Sequence, residues 1–342
     1  MTKPLRFAVF GAGFWARYQL GAWRELPGAE CVAIYNRTRA KAEALARELG
    51  IAGVFDNAEQ LIDAVKPDFI DIITDVDTHP AFTRLAAARG VPVICQKPMA
   101  PSLAQAEAMV GACRAAGVPM FVHENFRWQT PIRNLKRLLD EGHIGKPHRA
   151  HINMVSGFPV FKNQPFLADL KQFVMTDVGS HVFDIARFLF GEAETVYCQT
   201  RRTLDFIQGE NVATVLMKMG PNAAIVIVNM GYAQNPLERE CFPETLIHIE
   251  GALGALELYP DFRIHMTTRA GTLINQYPPP RYAWADPDYD VVHASGVPCN
   301  ANILAALRGE GVAETTGEDN LKTVRLIFAA YDSAAQDAVV KL

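Results

Sequence analysis

Two short segments of the sequence carry side chains that could move a proton. Lys97 belongs to a Gln-Lys-Pro run that directly follows the apolar stretch Val93 to Cys95. In a doubly wound sheet ligands bind at the carboxyl ends of the strands, so this lysine is placed for chemistry. Asp177 and His181 are four residues apart and share one face of a helix, and Gly179 between them leaves space for a ligand. An imidazole poised near neutrality suits proton transfer.

A glycine motif near the start of the chain predicts a dinucleotide site. Gly11, Gly13 and Ala16 form G-x-G-x-x-A between a predicted strand at 6–10 and a predicted helix at 14–26. Gly11 allows the tight turn, Gly13 lets the backbone approach a pyrophosphate, and Ala16 lets helix and strand pack closely. The phosphate then lies on the free N–H groups at the helix N-terminus.

The residues after the second predicted strand leave the choice of dinucleotide open. NAD-binding folds usually place a carboxylate here to grip the ribose 2′-hydroxyl, but this chain has Asn36. Asn36 can bond the hydroxyl without repelling a 2′-phosphate, and Arg37 could pair with that phosphate or stack on adenine. Taken alone, these residues lean slightly towards NADP.

The elements that position these residues fall into two groups. Up to about residue 122, short apolar strands alternate with helices, which predicts an N-terminal Rossmann domain, 1–122, with a doubly wound parallel sheet. From residue 123 to 342 a helix at about 177–190 and closely spaced strand-like segments predict an α+β domain with a large open mixed or antiparallel sheet. Residues 157–166 and 278–300 show no clear period, and helices at about 300–308 and 318–337 end the chain.

Bulk composition excludes several kinds of partner. The 342 residues suit two domains, and the net charge of −4 comes without any basic block that would indicate nucleic acid. No apolar stretch approaches the roughly 18 residues of a membrane span. The six cysteines form no C-x-x-C pair, so we expect reduced thiols, no metal site and a cytoplasmic protein.

In combination, these motifs resemble the Gfo/Idh/MocA dehydrogenases. Gln96-Lys97-Pro98 resembles the family's E-K-P, with glutamine in place of glutamate, and the segment from Asp177 to His181 resembles its D-x-G-x-H. The stretch from Thr74 to His79 is similar to the family's T-P-x-x-x-H, although Asp75 stands where the proline is expected. Asn125-Phe126-Arg127 and the closing segment GEDNLKTVRLIFAAYDSA are also similar to the family.

The resemblance implies a dehydrogenase with NAD as cofactor, and the identity of residue 36 does not exclude NADP. The motifs and the resemblance together assign the cofactor to Gly11, Gly13, Phe14, Trp15, Asn36, Arg37, Thr38, Thr74, Asp75, Val76, His79, Gln96, Lys97, Asn125 and Arg127.

A closer resemblance within the family, carried by YNRT, ITDVDTH, CQKPMAPS and GFPVFKNQPF, implies an aldopentose oxidised at its anomeric carbon to a lactone. The residues expected to contact the sugar are Lys97, Phe158, Asn163, Gln164, Asp177 and His181. An inositol or another polyol is the alternative substrate, and a sugar-sensing regulator without turnover is a rival from another class.

Two assignments of the catalytic roles agree with the sequence. In the first, His181 is the general base, Asp177 orients it, and Lys97 binds the reacting oxygen. In the second, burial lowers the pKa of Lys97 and makes it the base. The sequence does not separate them.

The strand-like segments of the second half also predict assembly. Residues 223–230 and 245–249 do not alternate between apolar and polar, so both faces of their sheet should be covered. Few helices remain in this half of the chain to cover a second face. We therefore expect a homodimer or tetramer that packs through the C-terminal sheet, as the resemblance also implies.

Overall fold

The computed structural model describes residues 3–233 and 244–342. The chain forms two compact units. The first runs up to Glu124 and includes 283–285 and 296–324, and the second comprises Asn125–Tyr282, Asp286–Ser295 and Arg325–Leu342. Cys241 lies outside the described residues, and the other five cysteines are free thiols.

The first unit is built on a parallel six-stranded sheet, which confirms the predicted Rossmann fold. The strand order is β3-β2-β1-β4-β5-β6. The strands are β1 (Leu5–Phe10), β2 (Ala29–Tyr35), β3 (Gly53–Phe55), β4 (Phe69–Ile72), β5 (Val93–Gln96) and β6 (Met120–His123). The connecting helices are α1 (Phe14–Arg24), α2 (Arg39–Leu49), α3 (Ala58–Val65), α4 (His79–Ala88) and α5 (Leu103–Ala116).

Sequence features explain where these elements begin and end. All four residues of β4, β5 and β6 are buried, as expected of parallel strands covered by helices on both faces. Helix α5 begins where the Ser102 side chain accepts a hydrogen bond from the Gln105 N–H, and it ends at Gly117, which has a left-handed φ of 68°. Short strands with sharp helix ends leave a row of turns at the carboxyl edge of the sheet.

The second unit contains a large mixed sheet, also as predicted. Its nine described strands run in the order β14-β13-β12-β11-β7-β10-β9-β8-β15, and only the β7–β10 pair is parallel. The strands are β7 (Pro147–Ser156), β8 (Ala193–Arg201), β9 (Val212–Met219), β10 (Ala224–Tyr232), β11 (Leu246–Gly251), β12 (Gly254–Tyr259), β13 (Arg263–Thr268), β14 (Gly271–Gln276) and β15 (Val340–Lys341). The helices that begin in this unit are α6 (Thr130–Asp140), α7 (Val160–Asn163), α8 (Val174–Asp177), α9 (Gly179–Phe190) and α10 (Asp290–Leu307), and α11 (Gly317–Gln336) ends in it.

The structure differs from the prediction at several elements. The helix expected at about 300–308 begins ten residues earlier, at Asp290, because Pro298 inside it and the preceding 3₁₀ turn Pro287–Tyr289 hide its period. The helix expected at about 177–190 is two helices, α8 and α9, which meet at Val178. Strand β14 has no counterpart in the prediction, since every residue in it is exposed and no apolar alternation marks it.

Strand β10 shows how the second sheet is covered within one chain. Val226, Val228 and Met230 are fully buried, whereas Ile225 is 50% exposed and Ile227 is half-buried. Burial therefore alternates along the strand although the sequence does not. The outward face of β10 consequently carries apolar side chains that are accessible in the single chain.

Candidate active site

The glycine motif forms an open turn at the N-terminus of α1. Gly11 has a φ of +115°, and a Cβ there would lie 2.5 Å from the Ile73 carbonyl oxygen, so only glycine fits. A Cβ at Gly13, the residue before the first helical turn, would meet nothing within 4 Å. The first turn of α1 carries no acidic side chain. A helix N-terminus with open space beside its glycine fits the close approach of a dinucleotide phosphate.

Asn36 connects the end of β2 to this turn. Its Oδ1 accepts a hydrogen bond from the Ala12 N–H at 3.1 Å, and its Nδ2 donates to the Thr38 carbonyl at 2.9 Å. The next residues, Arg37 and Thr38, are exposed. The side chain predicted to meet the ribose therefore also holds the glycine turn in place.

The turns after β4 and β5 are joined by His79. One ring nitrogen, Nδ1, lies 3.1 Å from the Pro98 carbonyl oxygen, and Nε2 lies 3.0 Å from that of Thr74. The ring is buried, and burial lowers its pKa against the raising effect of its carbonyl partners. Located between two loops in this way, His79 supports the predicted cofactor turns through their backbones.

Lys97 follows β5 directly and is half-buried. Its peptide N–H donates to Oε1 of the preceding Gln96 at 2.7 Å, and the Lys97–Pro98 peptide bond is cis. Among the other predicted cofactor residues of this unit, Phe14 and Asp75 are exposed, whereas Trp15, Thr74 and Val76 are half-buried. These residues lie in the turns that follow β1, β4 and β5, at the carboxyl edge of the sheet.

In the second unit, Asp177 ends α8 and His181 lies in the first turn of α9. The hydroxyl of Tyr232 donates a hydrogen bond to Oδ2 of Asp177 at 3.0 Å. The imidazole of His181 stacks on the ring of Phe126, with centroids 3.5 Å apart and planes 6° from parallel. All four side chains are buried, so they are held in fixed orientations.

Gly179 does not leave the space for a ligand that the sequence suggested. A Cβ at this position would lie 3.3 Å from both Met230 Sδ and Phe183 Cε2. The glycine lets α9 approach β10, and the prediction about its role was wrong. The close packing that Gly179 permits brings Asp177 within reach of Tyr232 on β10.

Glu210 fixes the start of the segment that carries Asp177. Its carboxylate accepts hydrogen bonds from the N–H groups of Phe173 and Met175, each at 3.2 Å, and from the Tyr331 hydroxyl at 2.7 Å. Sequence analysis missed Glu210 and Tyr232, because both lie far along the chain from α8, the helix they support, and no local motif marks them.

Asn125 and Arg127 are held by partners inside the second unit. The Asn125 amide donates to the Val292 carbonyl and to Ser295 Oγ, at 3.0 and 2.8 Å. Arg127 forms a two-pronged ion pair with the fully buried Asp184. A role in cofactor binding for these two residues stays a prediction.

The residues predicted to meet the sugar from the 157–166 segment lie in and around the short helix α7. Phe158 packs edge-on against Tyr289 at 5.1 Å, and Tyr289 stacks on His293. The backbone of Asn163 ends α7, while its side chain lies outside the described part of the chain. Gln164 is half-buried.

Metal clusters and membrane spans are both absent from the described residues. Residues 3–233 and 244–342 contain no group of three or more histidine, cysteine, aspartate or glutamate side chains that could hold a metal ion. In the same part of the chain, no helix is both long and apolar enough to cross a membrane.

Both units match models of a known protein family. A family model described as an oxidoreductase family with an NAD-binding Rossmann fold matches residues 5–124, and a model of the GFO/IDH/MocA C-terminal domain matches residues 132–257. A D-apiose dehydrogenase of Paraburkholderia graminis is 41% identical over 341 residues, which cover 100% of this chain and 90% of that protein. A D-apiose dehydrogenase of Rhizobium rhizogenes is 40% identical over 342 residues, covering 100% and 98%.

A solved structure is similar over the same extent. The crystal structure of an oxidoreductase from Agrobacterium radiobacter, in complex with NAD+, L-tartaric acid and magnesium, has a TM-score of 0.96 and 40% sequence identity. The match covers 99% of this chain and 98% of that one. Similarity of this extent includes both units.

Proposed function

This chain belongs to the Gfo/Idh/MocA family of oxidoreductases and has the family's NAD-binding Rossmann domain, and from that premise we propose that it oxidises D-apiose to the corresponding lactone with NAD. The observation that supports D-apiose as the substrate is the sequence identity of 41% and 40% to two D-apiose dehydrogenases over the whole chain. Partial matches would support only the reaction type, because substrate contacts are expected mainly from the second unit.

The reaction removes a hydride from the anomeric carbon and a proton from its hydroxyl. The anomeric C–H bond breaks, the anomeric hydroxyl loses its proton, and a lactone C=O bond forms. NAD, when bound, supplies the acceptor for the hydride. The protein must therefore bind the sugar hydroxyl, accept its proton and stabilise the charge that develops on the oxygen.

We propose that the imidazole of His181 accepts the proton of the anomeric hydroxyl and that Nζ of Lys97 binds the oxygen of that hydroxyl. Stacking on Phe126 fixes the plane of the His181 ring, which is what a general base needs in order to meet a proton in one direction. Asp177, held by Tyr232, favours the imidazolium that forms. Lys97 presents a cation to the oxygen as negative charge grows there. The alternative assigns the role of general base to Lys97.

Sugar contacts are proposed for Phe158, Asn163 and Gln164. An aromatic ring beside polar side chains is a common way to hold one sugar face and its hydroxyls. Phe158 is braced by Tyr289, so it is preorganised for such a contact.

The proposal includes a cytoplasmic enzyme that forms homo-oligomers. Reduced thiols support the compartment, since five free cysteines lie in the described residues. Exposed apolar side chains on the outward face of the second sheet, Leu216 at 43% and Ile225 at 50%, support a dimer or tetramer through that sheet.

The test is a substrate panel with purified protein. NADH formation is followed with NAD and D-apiose, other aldopentoses, myo-inositol and scyllo-inositol, and lactone is identified by mass spectrometry. We expect the largest kcat/KM for D-apiose. A larger kcat/KM for an inositol would replace the sugar by a cyclitol, and NAD binding without turnover of any compound would favour the sugar-sensing regulator.

A further inference from the structure

A buried chain of hydrogen bonds crosses the first unit and ends at Lys97. Asp71 on β4 accepts hydrogen bonds from Gln19 Nε2 to both carboxylate oxygens at 2.8 Å, and from the Trp23 indole N–H at 2.8 Å. Gln96 Nε2 donates to Gln19 Oε1 at 2.7 Å, and Gln96 Oε1 accepts from the Lys97 N–H at 2.7 Å. The side chains of Asp71, Gln19, Trp23 and Gln96 are at most 8% exposed.

The groups at the two ends of this series of hydrogen bonds fix the direction in which each bond is donated. A peptide N–H and an indole N–H can only donate, so Gln96 must offer its oxygen to Lys97 and its amino group to Gln19. Gln19 must then offer its amino group to Asp71. A carboxylate, which accepts only, completes the series without a clash. Each amide is therefore oriented jointly by the Lys97 N–H at one end and the buried carboxylate at the other.

The position of the carboxylate is unusual for the motif it serves. Where the family's E-K-P has glutamate, this chain has Gln96, and the acid stands at Asp71 on the neighbouring strand, opposite Ile94 of β5. Burial raises the pKa of Asp71 to about 7, against the opposing effect of the Trp23 and Gln19 hydrogen bonds. Burying a carboxyl group costs free energy unless it is hydrogen-bonded, and Gln19 and Trp23 supply those hydrogen bonds here.

We propose that Asp71 is a positioning residue for Lys97, acting through Gln19 and Gln96 on the backbone of the Gln-Lys-Pro turn. The inference rests on the proposed role of Lys97 in binding the reacting oxygen. The carboxylate sets the direction of both amides, and the last amide holds the Lys97 peptide. Since Gln19 and Trp23 belong to α1, the same chain ties the helix of the glycine motif to the catalytic lysine.

A double-mutant cycle separates positioning from simple support of the fold. Asp71→Asn places an amide donor against the Gln19 and Trp23 donors, and we expect kcat to fall about tenfold through misplacement of the lysine. In a Lys97→Ala background the same substitution should leave the residual kcat unchanged, because the group it positions is gone. The melting temperature should fall by a similar amount in both backgrounds.

The outcomes of the cycle are distinct. An equal fractional loss of kcat in both backgrounds would overturn the proposal and make Asp71 merely structural. Wild-type kcat in Lys97→Ala would instead overturn the proposed role of Lys97. Asp63→Asn is the matched control, since Asp63 forms an exposed ion pair with Arg89 on the same unit and should change neither quantity.

A charge swap gives a second, independent test that also covers an Asp71→Asn protein too unstable to assay. In the double variant Asp71→Asn/Gln96→Glu the series can reverse. The carboxylate introduced at position 96 accepts from the Lys97 N–H and from Gln19, while the amide introduced at position 71 donates to Gln19 and accepts from the Trp23 indole.

The swap makes a quantitative prediction. We expect the double variant to recover kcat to within about threefold of wild type, and to melt above either single variant, because the two changes compensate each other. The proposed series of hydrogen bonds would be contradicted by a double variant whose kcat and melting temperature are both no higher than those of the worse single variant.

Discussion

The hydroxyl of Tyr232 donates a hydrogen bond to Oδ2 of Asp177 at 3.0 Å, and both side chains are buried. Burial raises the pKa of Tyr232, so the phenol stays protonated and remains a donor. Tyr232→Phe removes this donor from a buried carboxylate. We expect kcat to fall about tenfold, with an unfolding free energy lower by about 1–3 kcal/mol, measured by NADH formation at saturating sugar and by urea unfolding.

A matched tyrosine provides the control for this change. Tyr197 also donates to an aspartate, Asp337, at 2.7 Å, but at the surface. Tyr197→Phe should leave kcat unchanged and alter stability by less than about 0.5 kcal/mol. Equal kcat in Tyr232→Phe and wild-type enzyme would show that this hydrogen bond to Asp177 is not needed for catalysis.

Lys97 gives the most direct test of the chemistry. Lys97→Ala removes the cation proposed to bind the reacting oxygen, and we expect kcat to fall by about 10² or more, the scale of a lost oxyanion donor. The dissociation constant for NAD, measured by calorimetry, should stay within about threefold, since the glycine turn binds the phosphates. A near wild-type kcat at saturating sugar would remove Lys97 from the mechanism.

Cofactor selectivity should depend on the residues after β2. Asn36→Asp keeps an acceptor for the Ala12 N–H but loses the donor to the Thr38 carbonyl. The added carboxylate repels a 2′-phosphate, so the NAD/NADP ratio of kcat/KM should rise, while the melting temperature falls slightly. Arg37 is exposed, and Arg37→Ala should weaken NADP more than NAD without loss of stability. An unchanged ratio in both variants would show that the ribose binds elsewhere.

Local signals in the sequence identify the fold and the motifs. Gly11 is recognisable because its turn with positive φ requires glycine, and Gly13 because a glycine at this point of the motif lets the backbone approach a phosphate. The apolar runs from Phe7 to Phe10 and from Val93 to Cys95 predict a parallel sheet because strands covered on both faces carry no polar alternation. Such features depend on a few consecutive residues, so one sequence suffices to place Lys97 at the end of its strand.

Contacts between distant residues could not be predicted in the same way. Asp71 and Gln19 are 52 residues apart, and Tyr232 and Asp177 are 55 apart. A buried aspartate next to Ile70 and Ile72 looks like an interruption of the strand until α1 supplies its donors. The role of Gly179 could not be predicted for the same reason, since the side chains that crowd it are not marked by any pattern around it.

Asp71 should make stability depend on pH in an uncommon direction. Its folded pKa, about 7, lies above the ordinary value of 3.8, so the folded protein binds this proton more tightly than the unfolded one. The contribution of Asp71 to the unfolding free energy therefore falls as pH rises from about 4 to about 7, by up to about 4 kcal/mol. The nearby thiols of Cys31 and Cys95 stay neutral in this window, because burial raises their pKa.

Urea unfolding at several pH values between about 4 and about 8 isolates this contribution. Asp71→Asn lacks the titrating group, so its stability relative to wild type should increase with pH across the window. Asp63→Asn changes an exposed side chain of the same unit, and its stability should stay parallel to that of the wild type across the window. A difference between Asp71→Asn and wild type that is constant with pH would mean that Asp71 does not titrate there.

The outward face of the second sheet should be the assembly surface. Ile227 on β10 points away from the core, between Leu216 of β9 and His151 of β7, whereas the adjacent Val226 is fully buried. Ile227→Lys adds a charge to that face without disturbing the core, and a charge buried in an interface without a partner is costly. We expect light scattering to show a shift from an oligomer to the 37.7 kDa chain, with the melting temperature of the monomer nearly unchanged.

Val312 is the control position: it is 85% exposed in the first unit, and Val312→Lys should leave the mass as in the wild type. A wild-type protein that is already a monomer at micromolar concentration would contradict the proposed assembly, and an oligomer unaffected by Ile227→Lys would move the interface to another surface.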